Sequence, residues 1–186
     1  MRGSLNECWE PVLRGAIGLR AVAVAREAAD RLRNLGQVES AIKLAKTQTA
    51  YPDFIRWQPL GVAQGYSGLA IFCAYLDECF PGEQWDRTAH NYLDAATKGI
   101  PGYTSLPSGL FSGLSGLAFA AWHLSLGGRR YRKLLAAIEE ILLRQIVSHF
   151  QYYTTRHEPV PVNHFDLISG LCGIGAYLLR FAMPGP

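Results

Sequence analysis

Among the side chains of this sequence whose types could do chemistry together, His157, His164 and Asp166 invite a metal reading. Two imidazoles and a carboxylate are metal-ligand types, but a metal site needs a regular element to fix their geometry. Here the spacings of seven and two residues fall in a segment broken by Pro159 and Pro161, so a metal centre is not the expected reading. The four cysteines, Cys8, Cys73, Cys79 and Cys172, are widely spaced and form no CxxC pair. They suit reduced thiols in a cytoplasmic setting better than a disulfide framework. Core packing is expected for Cys73, Cys79 and Cys172, while Cys8 is uninformative. There is no Gly-x-x-x-x-Gly-Lys loop, no Gly-x-Ser-x-Gly elbow and no His-Glu-x-x-His helix, which removes the commonest nucleotide, acyl-transfer and zinc-protease chemistries.

The elements that position Asp166 form a repeat. Gly65-Tyr66-Ser67-Gly68-Leu69-Ala70, Gly113-Leu114-Ser115-Gly116-Leu117-Ala118 and Gly170-Leu171-Cys172-Gly173-Ile174-Gly175 align without gaps, at spacings of 48 and 57 residues. Another glycine stands four residues before the first two units (Gly61, Gly109), and Asp166 holds that place in the third. The residues after each glycine pair are apolar nearly all round, which predicts interior helices. A glycine inside a helix costs about 1 kcal/mol relative to alanine, so the pairs need a reason. Close approach to a neighbouring backbone is one. Helix N-termini aiming free N–H groups into a central cavity is another. Asp166 itself suits an N-cap of the third helix.

Between the repeats the pattern is amphipathic. Trp85, Ala89, Tyr92, Leu93 and Ala96 form one stripe after the Pro81-Gly82 turn. Tyr131, Leu134, Leu135, Ile138, Leu142 and Ile146 form another after the Gly127-Gly128 stop. Ahead of the first repeat, Leu13, Ile17, Ala21, Val24, Ala28 and Leu32 form a third, with Pro11 near its start and Gly36 just past its end. No alternating strand pattern occurs, and Val160-Pro161-Val162 is broken by its proline. The expected fold class is all-α, with Gly-rich inner helices ringed by amphipathic outer helices.

Composition narrows the function classes. The chain has 186 residues, a formal charge of +3, 49% hydrophobic and 18% charged residues. That predicts one ordered domain, argues against disorder, and carries too little positive charge to imply nucleic acid. No apolar signal-peptide core lies within the first eleven residues. Two uncharged stretches, Trp57–Leu76 and Gly99–Gly128, run 20 and 30 residues. Each opens on a polar, Gly/Pro-rich lead-in, so no membrane span is expected.

The three repeats, and above all Phe165-Asp166-Leu167-Ile168-Ser169-Gly170-Leu171-Cys172-Gly173-Ile174, resemble the lanthionine synthetase C-like (LanC-like) family. The resemblance runs from about Leu13 to Phe181 and is closest to stand-alone cyclases of class I lanthipeptide pathways. It implies an α/α toroid of seven inner and seven outer helices. It also implies a zinc ion, held by two Cys and one His, that binds a substrate cysteine and lowers its thiol pKa. The thiolate adds to a dehydroalanine or dehydrobutyrine made by a dehydratase, and a general acid protonates the resulting enolate.

This chain carries three of the seven repeats. The zinc Cys, the Cys-His-Gly motif and the active-site His of the family lie in later repeats, and none of those motifs occurs here. The resemblance therefore implies a single LanC-like domain over residues 1–186, truncated to a partial α/α toroid, without zinc of its own and inactive alone. Asp166 matches the family's Asp at the cavity rim, where a carboxylate handles the proton of the addition or orients a neighbouring His. The implied partners are a precursor lanthipeptide, a dehydratase and the missing C-terminal part. The basic stretch Arg129, Arg130, Arg132 and Lys133 opens a helix against the macrodipole. A solvated face is its expected role, with contact to an acidic leader peptide as the alternative. An unclosed ring also predicts an exposed apolar edge beside residues 170–181.

Three rival readings make different demands. A non-catalytic helical-repeat scaffold would bind peptide without metal or turnover. Another α/α-barrel enzyme, such as a glycosidase, needs two carboxylates facing one cavity, and Asp166 is the one acid adjoining a repeat's first Gly-rich turn. A membrane protein would use the Gly61/Gly65 and Gly109/Gly113 pairs as helix contacts.

Overall fold

The computed structural model describes residues 12–54, 56–155 and 159–181. Every regular element among them is helical, and no helix there is long and apolar enough to cross a membrane. The chain divides into two compact units, one ending at Ala50 and the other beginning at Tyr51.

The first unit contains α1 (Gly15–Asp30) and α2 (Leu35–Gln48). The sequence places a helix stop at Gly36, but Gly36 sits in the first turn of α2. The reason is Asn34, whose side-chain oxygen accepts the Gln37 N–H at 3.2 Å and so starts a new helix. Leu13, Ile17 and Val24 of the apolar stripe are exposed, and burial in α1 and α2 falls on Ala29 and Val38. Pro11 and Cys8 lie outside the described residues.

The second unit holds the repeats: α3 (Tyr66–Cys79), α4 (Trp85–Lys98), α5 (Leu114–His123), α6 (Arg132–Thr155), the one-turn α7 (Val162–Phe165) and α8 (Leu171–Phe181). Helices α3, α5 and α8 carry the glycine pairs, and α5 packs against α3, α4, α6 and α8. Its Leu114 and Leu117 are fully buried, each contributing about 1.5–3 kcal/mol by leaving water. The α4 stripe is as expected, with Trp85, Ala89, Tyr92, Leu93 and Ala96 all buried. In α6, Ile138 and Leu142 are buried while the ends of the stripe are partly exposed.

The glycines are explained by the loops that lead into α3 and α5. Each loop folds back over the start of its own helix. The Tyr66 N–H donates to the Pro59 carbonyl at 3.1 Å and the Gly68 N–H to Gly61 at 3.3 Å. The Leu114 N–H donates to Pro107 at 2.8 Å and the Ser115 N–H to Ser108 at 3.3 Å. Those bonds satisfy first-turn amides that a helix cannot satisfy itself. The amides of Tyr66, Gly68, Leu114 and Ser115 are therefore not free to face a cavity. Close approach is the operative reason, and the backbone approached is the helix's own lead-in loop. A Cβ on Gly65 would overlap the Gln58 carbonyl oxygen, and one on Gly113 would overlap that of Pro107.

The same loops join one repeat to the next. Ala63, Phe111 and Ile168 occupy equivalent positions. The Ala63 N–H donates to the Phe111 carbonyl at 3.2 Å, and the Phe111 N–H to the Ile168 carbonyl at 3.1 Å. Side chains follow the same order. Val62 lies over Gly116, where an added Cβ would be 2.9 Å from Val62 Cγ2. Its equivalent Leu110 lies over Gly173, where the corresponding distance is 3.0 Å.

At the third repeat this succession stops. Ser67 and Ser115 are fully buried, whereas Cys172 in the same place is exposed. Leu167, equivalent to Val62 and Leu110, is 52% exposed, and Ile168 is 58% exposed. The expected apolar edge is therefore present beside α8. The cysteine reading needs a correction: Cys73 is buried, but Cys79 and Cys172 are exposed. Cys79 is the last residue of α3, and Cys172 faces the uncovered side of α8.

The two buried serines give a stability test. Ser115 Oγ donates to the Ser108 carbonyl at 2.6 Å, while Ser67 Oγ is buried without a partner. Ser115→Ala should cost about 1 kcal/mol. Ser67→Ala, which removes an unsatisfied hydroxyl, should be neutral or slightly stabilising. Thermal unfolding of both variants checks the contrast, and equal losses would contradict it.

Candidate functional site

The third lead-in is built differently from the other two. Pro161, in extended conformation, starts the single turn α7, which ends when the Asp166 N–H donates to the Val162 carbonyl at 2.9 Å. Asp166 is itself extended (φ −65°, ψ 167°), and its Oδ1 accepts the Ser169 N–H at 2.6 Å and the Gly170 N–H at 3.3 Å. Asp166 thus caps the loop that launches α8 and stands five residues before Leu171, the first residue of the helix. The sequence reading as an N-cap is corrected to that extent.

Asp166 can occupy this place because the third lead-in is uncovered. Its equivalent in the second repeat is Gly109, where a Cβ would lie 2.7 Å from the Ile168 oxygen and 2.7 Å from Ser169 Cα. A carboxylate there would collide with the third lead-in. On the third repeat itself, Asp166 is half-buried. The Ser169 N–H, against a smaller opposing desolvation, holds its carboxyl below the usual carboxylate range, with the Gly170 and Ile168 amides adding to the effect.

The sign of the resulting pH dependence is fixed. A folded pKa below the unfolded one means that folding is favoured by the ionised form. The contribution is complete above the unfolded value of about 3.9 and is lost as pH falls through the folded value. A carboxyl-carbon NMR titration should show Asp166 titrating below a free aspartate. A midpoint at or above the free value would contradict the geometry.

Of the residues singled out in the sequence, the structure places His164 two residues ahead of Asp166, on α7. The Tyr153 hydroxyl is hydrogen-bonded to His164 Nδ1, and the rings of His149 and His164 stack at 6.3 Å with an interplanar angle of 12°. His149 Nδ1 is buried without a partner. Sequence reasoning missed His149 and Tyr153. Their separation of four residues on α6 puts them on one helix face, which was the available signal. His157 lies outside the described residues.

Zinc would need three or four converging Cys, His or carboxylate ligands. Cys73 is buried within α3, Cys79 ends that helix and Cys172 lies on α8. Among the described residues, no three His, Cys, Asp or Glu side chains come together in a way that could hold a metal. The donor set described does not fit a zinc ion.

Comparison with known proteins finds a family and a related solved structure. The family model described as lanthionine synthetase C-like protein matches residues 56–184. The solved structure of nisin cyclase matches with a TM-score of 0.59 at 21% sequence identity, over 77% of this chain and 35% of that one. The chain thus spans about a third of the nisin cyclase chain. At that identity the likeness speaks for the fold, which is part of an α/α toroid. A search of curated proteins finds no match.

Proposed function

The chain belongs to the lanthionine synthetase C-like family, and from that premise we propose that it supplies the Asp166-bearing part of a cytoplasmic lanthipeptide cyclase. On this reading residues 1–186 are one LanC-like domain with about three of seven hairpin repeats. Its substrate is a precursor lanthipeptide already dehydrated by a dehydratase. Asp166 carries the reading, because it is an acid fixed by backbone amides at the lead-in of an inner helix.

In the reaction a peptide thiol loses its proton and its sulfur bonds to the β-carbon of a dehydroamino acid. The double-bond electrons move toward the α-carbon and its carbonyl, and the α-carbon then takes a proton. Because its pKa is depressed, Asp166 is a carboxylate at neutral pH. It therefore enters as a proton acceptor or as an orienting anion, and not as a resting acid. No metal ligand is assigned to residues 1–186, and on this reading further repeats of the family fold complete the site. The uncovered Leu167, Ile168 and Cys172 are where a fourth repeat would seat, by the same succession that sets Val62 on Gly116 and Leu110 on Gly173.

The test uses a dehydrated, cysteine-containing peptide. Ring closure changes no mass, so closed rings are counted as thiols that fail to take up an alkylating agent. The chain alone should leave every thiol reactive. Addition of a polypeptide carrying the remaining repeats should protect them. Protection by the chain alone, with stoichiometric zinc bound, would overturn the reading.

A further inference from the structure

A second site lies at the other end of the hairpins. The inner helix α3 runs 14 residues, about 21 Å at 1.5 Å per residue, before the chain turns into α4. The turn before α4 and the turn before α6 come together there. They form an open groove of about 710 Å³ lined by Gln84, Asp86, Arg87, His90, Arg130 and Tyr131. None of these residues has a part in the Asp166 lead-in.

The charges of the groove are unbalanced. Two guanidiniums, Arg87 and Arg130, face one carboxylate, Asp86. Arg130 reaches Asp86 at 3.6 Å, with both side chains about half exposed at 49% and 48%. A pair that loose and wet is readily exchanged for another carboxylate. Arg87 is exposed and makes no ion pair among the described residues. Two neighbouring acids, Glu83 and Asp77, stay outside the lining, each held by a local hydrogen bond. A Glu83 oxygen accepts the Trp85 indole N–H at 3.2 Å, and an Asp77 oxygen accepts the Asp86 backbone N–H at 3.2 Å. One wall is flat and partly apolar, because the His90 and Tyr131 rings stack at 5.8 Å and share a 2.8 Å hydrogen bond.

We propose that this groove binds an acidic segment of a peptide, with Arg87 and Arg130 taking its carboxylates and the His90–Tyr131 pair supporting its backbone. The volume suits several residues more than a single small anion. Arginine on two separate elements suits carboxylates spaced along a chain. Asp86 acts as an internal competitor that the incoming acid displaces from Arg130. The inference stands on the groove alone and does not depend on the cyclase reading.

The experiment is a fluorescence-anisotropy titration of the whole chain with a fluorescein-labelled peptide of alternating glutamate and glycine. Arg87→Ala and Arg130→Ala should each weaken binding about tenfold. Asp86→Asn should tighten it about threefold, a gain that a damaged fold would not produce. Arg144→Ala, which removes a paired arginine elsewhere on α6, should leave it unchanged. Raising the salt from about 50 to about 500 mM should weaken binding more than tenfold. Equal affinity for an uncharged Gly/Ser peptide, preference for an oligothymidylate, or indifference to Arg87→Ala and Arg130→Ala would overturn the proposal.

Discussion

Gly113→Ala is expected to lower the melting temperature by about 6–12 °C, while Gly175→Ala leaves it unchanged or raises it slightly. Gly113 is extended (φ −147°, ψ −157°), a conformation open to any residue, so the whole cost is steric. The new methyl would overlap the Pro107 carbonyl oxygen and come within 2.5 Å of its carbon and 2.9 Å of the Gly109 nitrogen. All three are backbone atoms, and none can swing aside as a side chain does. Moving Pro107 away would stretch the bond from Leu114 N–H and shift Gly109 off the third lead-in. Overpacking of this kind costs about 3 kcal/mol, and each kcal/mol is worth about 2–4 °C in a chain of this size. Gly175 lies inside α8 with no atom near its missing Cβ, so alanine there gains about 0.5–1 kcal/mol of helix propensity. Calorimetry of the two variants compares them directly. Equal, small shifts would mean that the lead-in does not pack as described.

The pairing of glycines with helices was legible because two constraints coincide in the same residues. Gly65, Gly113 and Gly170 recur in register, and the apolar runs behind them leave no solvated face. The α4 stripe was legible for the usual reason, that Trp85, Ala89, Tyr92, Leu93 and Ala96 keep a helical period. What the glycines touch was not legible. A repeat shows that two backbones come close, but not that one of them is the loop just upstream. The start of α2 was hidden because Asn34 caps it with no proline or acidic first turn to announce it. The groove was hidden for a different reason. Gln84 and Tyr131 both take left-handed conformations at φ 60°, which neither residue type signals, so the turns that bring Arg87 and Arg130 together could not be foreseen. Asp166 stood out in the sequence as the acid among glycines. Its dependence on an uncovered lead-in became visible with the clash that an equivalent side chain at Gly109 would meet.

Asp166→Asn should separate the two things that Asp166 does. An asparagine side-chain oxygen can still accept the Ser169 and Gly170 amides, so the lead-in and α8 keep their places and the melting temperature changes little. The amide cannot take up a proton. In the assay with the remaining repeats supplied, thiol protection should therefore slow by about 10²–10⁴-fold, the usual worth of a positioned proton-transfer group. Asp166→Ala removes the loop cap as well and should lose both rate and stability. The pH dependence follows from the direction of the pKa shift. Because backbone amides hold the carboxyl below its ordinary range, activity limited by Asp166 should persist as pH is lowered to about 4, provided the fold and the thiol chemistry allow it. If Asn restored full rate where Ala abolished it, Asp166 would be a loop cap and nothing more. The proton would then have to be handled by a residue of the completing segment, and the uncovered lead-in would matter for assembly alone.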